Sequence, residues 1–200
     1  MSEDSLLSRT AEGLLDLFAA GRRTPGAGSA AALNGAVAAS LVQAVASYTL
    51  QAAARREDGA PLRERAEAIL REAAARSARL RQAVDEDVAA FEQYWRDRAP
   101  ESLQRATALP LAIVEECAAV VELGLELHAR GSRSARAEAC AAVLGAQAAG
   151  ESAAHVAGSN LLLAARAGWT TGWASSLRER ADALRSRLRE LRHEIEARGL

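Results

Sequence analysis

The sequence predicts an all-α fold, a helical bundle built around two buried Ala-rich helices. Three observations carry that expectation. Apolar residues recur at three- and four-residue spacing through nearly the whole chain, and no segment shows the alternation of a half-buried strand. Half of the residues are apolar while only 4% are aromatic, so the core must be made mainly of Ala, Leu and Val, which suits helices at close approach. No Pro/Gly/Ser-rich linker separates two cores, and residues 1–200 read as a single domain.

A first amphipathic helix is expected from Ser5 to Ala20, with Leu6, Leu7, Leu14, Leu15, Leu17 and Phe18 as its apolar positions. Asp4 or Ser5 serves as N-cap, and Gly21 closes it. The turn Thr24-Pro25-Gly26-Ala27-Gly28 follows, and Ser29 is the expected N-cap of a second helix reaching about Ala54. That helix is apolar on nearly all sides, the mark of a buried central helix, and Ala30, Ala31, Ala32, Gly35, Ala36, Ala38 and Ala39 let a neighbouring backbone come close.

Pro61 to Asp97 reads as one long helix with Pro61 in its first turn, extending roughly 55 Å at the usual rise. Its single apolar stripe, from Leu62 through Ile69, Leu80 and Val84 to Phe91, places it on the outside of the bundle. A fourth helix is expected from about Glu101 to Ala129, kinked or split at Pro110. After the turn at Gly131-Ser132-Arg133-Ser134, a second Ala-rich helix from Ala135 to Val156 carries few large polar groups and should be mostly buried. Gly158-Ser159-Asn160 is expected to interrupt it. Leu177 to Ala197 forms a last, charged helix whose stripe of Leu177, Leu184, Leu188, Leu191 and Ile195 either lies on its own bundle or pairs with a partner helix.

Composition excludes several chemistries. All 25 basic residues are Arg, so lysine Schiff bases, lysine general bases and a Walker lysine are out. The formal net charge is −1 with acids and bases interleaved, which lacks the single-sign surface of a nucleic-acid binder. Cys117 and Cys140 stand apart from each other and from any His at ligand spacing, so they read as core thiols, with no zinc or other metal site and no disulfide framework. Glu3 and Asp4 precede the first apolar residues, unlike a basic signal peptide, and no uninterrupted apolar run reaches the ~20 residues of a membrane span. A cytoplasmic location without a membrane partner is expected.

Certain residues stand out chemically. Gly26 and Gly28 allow backbone N–H groups to approach a ligand, and a helix N-terminus favours anions, although the same turn serves any tight helix entry. Glu138, in an Ala-rich segment, needs a partner if buried, or is a first-turn residue favoured by the helix dipole. His155 is either an acid/base group or a satisfied core residue. Trp169 and Trp173 either stack on a flat ring or pack in a core or interface.

Taken in order, the landmarks are Thr24-Pro25-Gly26-Ala27-Gly28-Ser29, an Ala/Gly-rich helix ending Val45-Ala46-Ser47-Tyr48-Thr49, Asp87-Val88-Ala89-Ala90-Phe91, Leu109-Pro110-Leu111, a Gly turn, a second small-residue helix and Asn160-Leu161. This order resembles the cyclodeaminase/cyclohydrolase family: the cyclodeaminase domain of formiminotransferase-cyclodeaminase and the stand-alone methenyltetrahydrofolate cyclohydrolases. The resemblance implies a homodimeric all-helical subunit and a tetrahydrofolate derivative as substrate, bound near Thr24, Pro25, Gly26, Gly28, Ser29 and Asn160. It implies catalysis by Asp87, which matches the family's Asp-x-x-Ala-Phe. Glu138 stands where the family usually has Asp, and His155 lies beside the Val156-to-Asn160 stretch. The implied reactions either close the methenyl ring with loss of ammonia or open it with water. Two alternatives remain: a repurposed enzyme performing cyclisation, ring opening or elimination on a non-folate nitrogen compound, motivated by His155, Trp169 and the missing Lys-rich run, and an inactive helical binding subunit.

Overall fold

A computed structural model describes residues 5–200, all of whose regular structure is helical. Asp4, considered above as an N-cap, lies outside the described residues.

The expected first helix is divided in two. Ser5 caps a short 3-10 turn, Leu6–Ser8, and Asp85 anchors that turn by accepting the Ser5 hydroxyl at 2.6 Å and the Leu6 N–H at 2.8 Å. Arg9 is extended, and Thr10 starts a separate helix, α1 (Ala11–Ala19), by accepting the Gly13 N–H at 3.1 Å. A distant carboxylate and a second N-cap thus override a continuous apolar period.

The remaining helices are α2 (Ala27–Ala53), α3 (Ala60–Asp97), α4 (Pro100–Arg130), α5 (Arg136–Arg166) and α6 (Trp173–Ala197). The central helix is α2, packed against α3, α4 and α5, with Ala32, Ala39, Val42, Val45 and Ala46 fully buried. By length and composition it could cross a membrane; its place here is the middle of the bundle. Small side chains do what the sequence leads one to expect of them: a Cβ on Gly35 would lie 2.8 Å from the Cys117 sulfur and 3.2 Å from Leu80, so α2, α3 and α4 close up only around a glycine. Cys117 is a buried core thiol, pushed up to about 12 chiefly by burial, and Cys140 is only half-buried. The helix starts at Ala27 rather than after Ser29, with Gly26 extended at the N-cap position, because the Ser29 hydroxyl is engaged elsewhere.

α4 is not split at Pro110, and the interruption expected in α5 is absent: it runs through Gly158-Ser159-Asn160 unbroken to Arg166. One interaction links the two. Pro110 has no N–H to offer the carbonyl of Ala106, and Asn160 Nδ2 donates to that carbonyl instead, at 2.8 Å, with Asn160 only 4% exposed. The Asn160 side chain therefore serves α4 instead of competing with its own backbone, while the Ser159 hydroxyl returns to the His155 carbonyl four residues back, a bond compatible with helix.

α6 begins at Trp173, four residues before the expected Leu177, and lies on its own bundle. Leu188, Leu191 and Ile195 enter the main core, and Gln147 Nε2 donates to the Leu188 carbonyl at 3.0 Å. Around this seam, Arg180–Glu115, Arg187–Glu122 and Arg192–Glu151 form ion pairs. Exposed pairs of this kind contribute ~0.2–1 kcal/mol each, so the apolar stripe is what holds the helix.

Candidate functional site

The chain enters α2 alongside the second half of α3, and both hydroxyls of the turn land on α3 carboxylates. Thr24 Oγ1 donates to Glu92 at 2.6 Å, and Ser29 Oγ donates to Asp87 at 3.0 Å. The Thr24-Pro25 peptide is cis. Between the two hydroxyls, Gly28 presents its bare Cα to the Asp87 carboxylate: a Cβ there would sit 2.1 Å from Oδ1 and 2.5 Å from Cγ. The turn and the carboxylate are thus built around each other, and a Cβ at position 28 would force the Asp87 carboxylate to move.

Burial pushes the Asp87 carboxyl above the ordinary aspartate range, while the Ser29 hydroxyl and backbone amide oppose that shift. Ser29 itself is fully buried. The result is a half-buried acid at a helix entrance whose proton is held more tightly than in water, a setting suited to proton transfer.

Further along α3, Phe91, Tyr94 and Trp95 follow Asp87 at i+4, i+7 and i+8, one face of the helix. They form an aromatic cluster with ring centres 6.1–6.3 Å apart, packed with Leu103, Ala164, Trp169 and Trp173. Trp169 and Trp173 therefore pack with a core cluster, their own rings 6.4 Å apart. Two arginines lie over the Trp95 ring, Arg23 at 3.8 Å and Arg98 at 3.5 Å from its centre. Sequence reasoning missed this trio. The available signal was the position of Arg23 directly before Thr24, together with the helical spacing from Asp87 to Trp95.

The other expected site residues fall in three places. Asn160 lies toward the same end of the bundle, where α5 meets the first turns of α4, and its amide is committed to the Ala106 carbonyl. Glu138 lies in the first turn of α5, at the opposite end: the α4–α5 turn is tied to the far end of α2 by the Ser132 N–H donating to Thr49 Oγ1 at 3.0 Å. Ser29 and Thr49 are twenty residues apart on one helix, roughly 30 Å. Glu138 Oε2 is buried without a hydrogen-bond partner among the described residues. His155 is exposed, which rules out a core role, and it lines a groove of about 260 Å³ between α5 and α6 with Glu151, Arg185, Arg189 and Arg192. A single subunit brings Asp87 together with Thr24, Gly28 and Ser29, and keeps Glu138 away from them.

Beneath the N-terminal turn lies a cavity of about 530 Å³, lined by Ser5, Gln43, Ser77, Arg81 and Asp85 among others and not by Asp87. Among the described residues no group of three or more His, Cys, Asp or Glu side chains is arranged to hold a metal ion.

The fold has relatives. The chain is similar in structure to the crystal structure of formiminotetrahydrofolate cyclodeaminase from Thermotoga maritima, with a TM-score of 0.79 over 96% of each chain at 16% sequence identity. No curated protein sequence matches it. A family model described as formiminotransferase-cyclodeaminase matches residues 10–167, a span that takes in the turn, Asp87, Pro110, Glu138 and Asn160. On that match, the chain belongs to the formiminotransferase-cyclodeaminase family.

Proposed function

We propose that the protein is a folate-dependent cyclohydrolase or cyclodeaminase, acting on the C–N bonds of methenyl- or formimino-tetrahydrofolate at the Thr24–Ser29 turn, with Asp87 as its acid/base group. The observation that carries this reading is the fit of Gly28 and Ser29 around Asp87, which holds a proton-retaining carboxylate at a helix entrance.

Both reactions pass through a tetrahedral carbon between two nitrogens. In ring closure, N10 attacks the formimino carbon, and the N10 proton is passed to the amino group, which leaves as ammonia. In ring opening, water adds to the methenyl carbon, its proton is removed, and one ring nitrogen is protonated as its C–N bond breaks. Either sequence needs one group that accepts a proton and returns it a few ångströms away. Burial moves the Asp87 carboxyl toward holding a proton, which suits that exchange, and its negative form favours the cationic amidine-like carbon.

The working form is a homodimer. α2 carries no charged residue along its 27 positions, yet Val37 and Tyr48 on it are 55% and 48% exposed, and Leu144 on α5 is 44% exposed. The two helices touch where Gly145 faces Ala38, so these side chains belong to one mainly apolar face, edged by Arg81 beside Val37, of the kind that a two-fold interface covers. Glu138, at the opposite end of the bundle from Asp87, then enters the chemistry only across the subunit boundary. Two free cysteines suit a cytoplasmic setting.

The purified protein, given 5,10-methenyltetrahydrofolate, should abolish its ultraviolet absorbance; given the formimino-folate, it should release ammonia. Activity with at least one of them is expected. Inactivity with both overturns the reading.

A further inference from the structure

We propose that the cavity beneath the N-terminal turn binds a free α-amino acid with an apolar side chain. Arg81 and Ser77 take its carboxylate, the acidic edge at Asp85 and Glu86 takes its ammonium group, and an adjoining apolar cavity takes its side chain. This site is separate from the turn at Asp87 and does not depend on the folate reading.

The first support is a hydroxyl left without a partner. Ser77 lines the cavity and is only 3% exposed, and its Oγ makes no hydrogen bond among the described residues. The other buried hydroxyls of the described residues are all engaged: Ser5 donates to Asp85, Ser29 to Asp87, and Thr49 and Thr107 to the carbonyls four residues back in their own helices. Ser77 also breaks the apolar stripe of α3, in which Ala73, Leu80 and Val84 are fully buried. A buried polar group is costly until something answers it, and this one stands at the wall of a cavity of about 530 Å³. A single water fills only ~30 Å³ of such a space, so there is room for a larger occupant with a hydrogen-bonding group.

The second support is the placing of charge. Arg81 follows Ser77 by one turn of α3 and Asp85 follows Arg81 by another, so the three form a row with steps of ~6 Å. All three line the cavity, and Glu86 lines it beside Asp85. Asp85 accepts from the Ser5 hydroxyl and the Leu6 N–H, and Glu86 accepts from Gln82 Nε2 at 2.6 Å. One guanidinium therefore stands at one end of the row and two carboxylates at the other. A simple anion meets net repulsion there, whereas a zwitterion finds a counter-charge for each of its ends: the guanidinium fork and the Ser77 hydroxyl for the carboxylate, the acidic edge for the ammonium.

The third is shape. Arg81 and Leu7 also line a second cavity, of about 430 Å³, whose other walls are Leu33, Ala36, Val37, Ser40 and Leu41 of α2. The Ser40 hydroxyl is already given to the Ala36 carbonyl, so that compartment is apolar in what it offers. The two cavities share Arg81 and Leu7, and a molecule held by its charged ends in the first places an apolar side chain in the second. The charged part is walled by the N-terminal turn, α2 and α3, on the side of the bundle away from α5.

Calorimetric titration of the full chain with L-leucine tests this, beside 4-methylpentanoate, which lacks the ammonium group, 3-methylbutylamine, which lacks the carboxylate, and glycine, which lacks the side chain. Leucine should bind once per chain, and each of the other three at least about tenfold more weakly. Arg81→Gln should weaken leucine about tenfold and leave the amine unchanged, while Glu86→Gln should weaken leucine and leave the acid unchanged. A general folding defect would not sort the ligands in that way. Ser77→Ala should weaken leucine several-fold and raise the melting temperature of the unliganded protein, since an unanswered hydroxyl is removed. Asp87→Asn should bind leucine as the wild type does, so a protein inactive on folates leaves the result intact. Absence of leucine binding, equal binding of leucine and any of the three analogues, undiminished binding in Arg81→Gln, or loss of binding in Asp87→Asn overturns the assignment.

Discussion

Asn160 does for Pro110 what a backbone amide would otherwise do: its Nδ2 donates at 2.8 Å to the Ala106 carbonyl that the proline leaves open four residues earlier in α4. An irregularity in one buried helix is thereby repaired by a side chain from another. Replacing Asn160 with Leu should destabilise the protein by ~1–3 kcal/mol, the cost of an unpaired buried carbonyl, read as a lower urea midpoint. Restoring the donor with Pro110→Ala in the same chain should recover most of that loss. A double-mutant cycle with no coupling between the two positions would contradict the assignment.

Gly28→Ala tests the fit around Asp87. The added Cβ would lie 2.1 Å from the carboxylate, so the variant should lose ~1–3 kcal/mol through overpacking and lose activity by displacement of the acid. Combining it with Asp87→Ala should return the stability and leave the activity absent. Thermal unfolding and turnover, measured side by side, separate the two effects.

Asp87→Asn should lower kcat by ~100-fold or more while the fold persists, as expected for removal of a general acid/base. The pH dependence has a definite sign. Because burial raises the folded-state pKa of Asp87, its contribution to stability is fullest below the ordinary carboxylate range and is lost as pH rises through the raised value. The Asn variant should therefore gain on the wild type in melting temperature toward neutral pH, and that advantage should shrink on acidification. The wild-type kcat/KM profile should carry an inflection above the ordinary aspartate range, absent from the variant.

Val37→Arg or Leu144→Arg places a charge on the mainly apolar face of α2 and α5. Light scattering should then report a fall from the dimer mass to that of a single 21.0 kDa chain. An unchanged mass would locate the dimer interface elsewhere.

Glu138→Gln and Asp87→Asn, each inactive as a homodimer, should complement when subunits are mixed, to about a quarter of the wild-type rate, because every mixed two-fold dimer has one intact site. Failure to complement would leave Glu138 outside the chemistry.

The helical frame was legible because periodicity and small-residue composition are local properties, read directly at Leu80, Val84 and Ile195. The element breaks were not. Pro110 and Gly158-Ser159-Asn160 each read as an interruption when taken alone, and each is tolerated because of the other helix. The first helix failed in the opposite direction: it reads as one element, and Asp85, far along the sequence, together with the Thr10 N-cap divides it. At the site, Gly28, Ser29 and Asp87 were each visible as candidates, and the structure adds their contact. Trp95 was not singled out, since nothing local shows that Arg23 and Arg98 lie against its ring.

The contact between Gly28 and Asp87 also bears on how this protein can change over evolutionary time. A side chain larger than hydrogen at position 28 pushes the Asp87 carboxylate from its place unless the residue at 87 has been shortened, and either change takes the carboxylate from the turn. The two positions are expected to drift as a pair, so that a descendant with a larger residue at 28 marks a lineage in which the carboxylate has moved or gone.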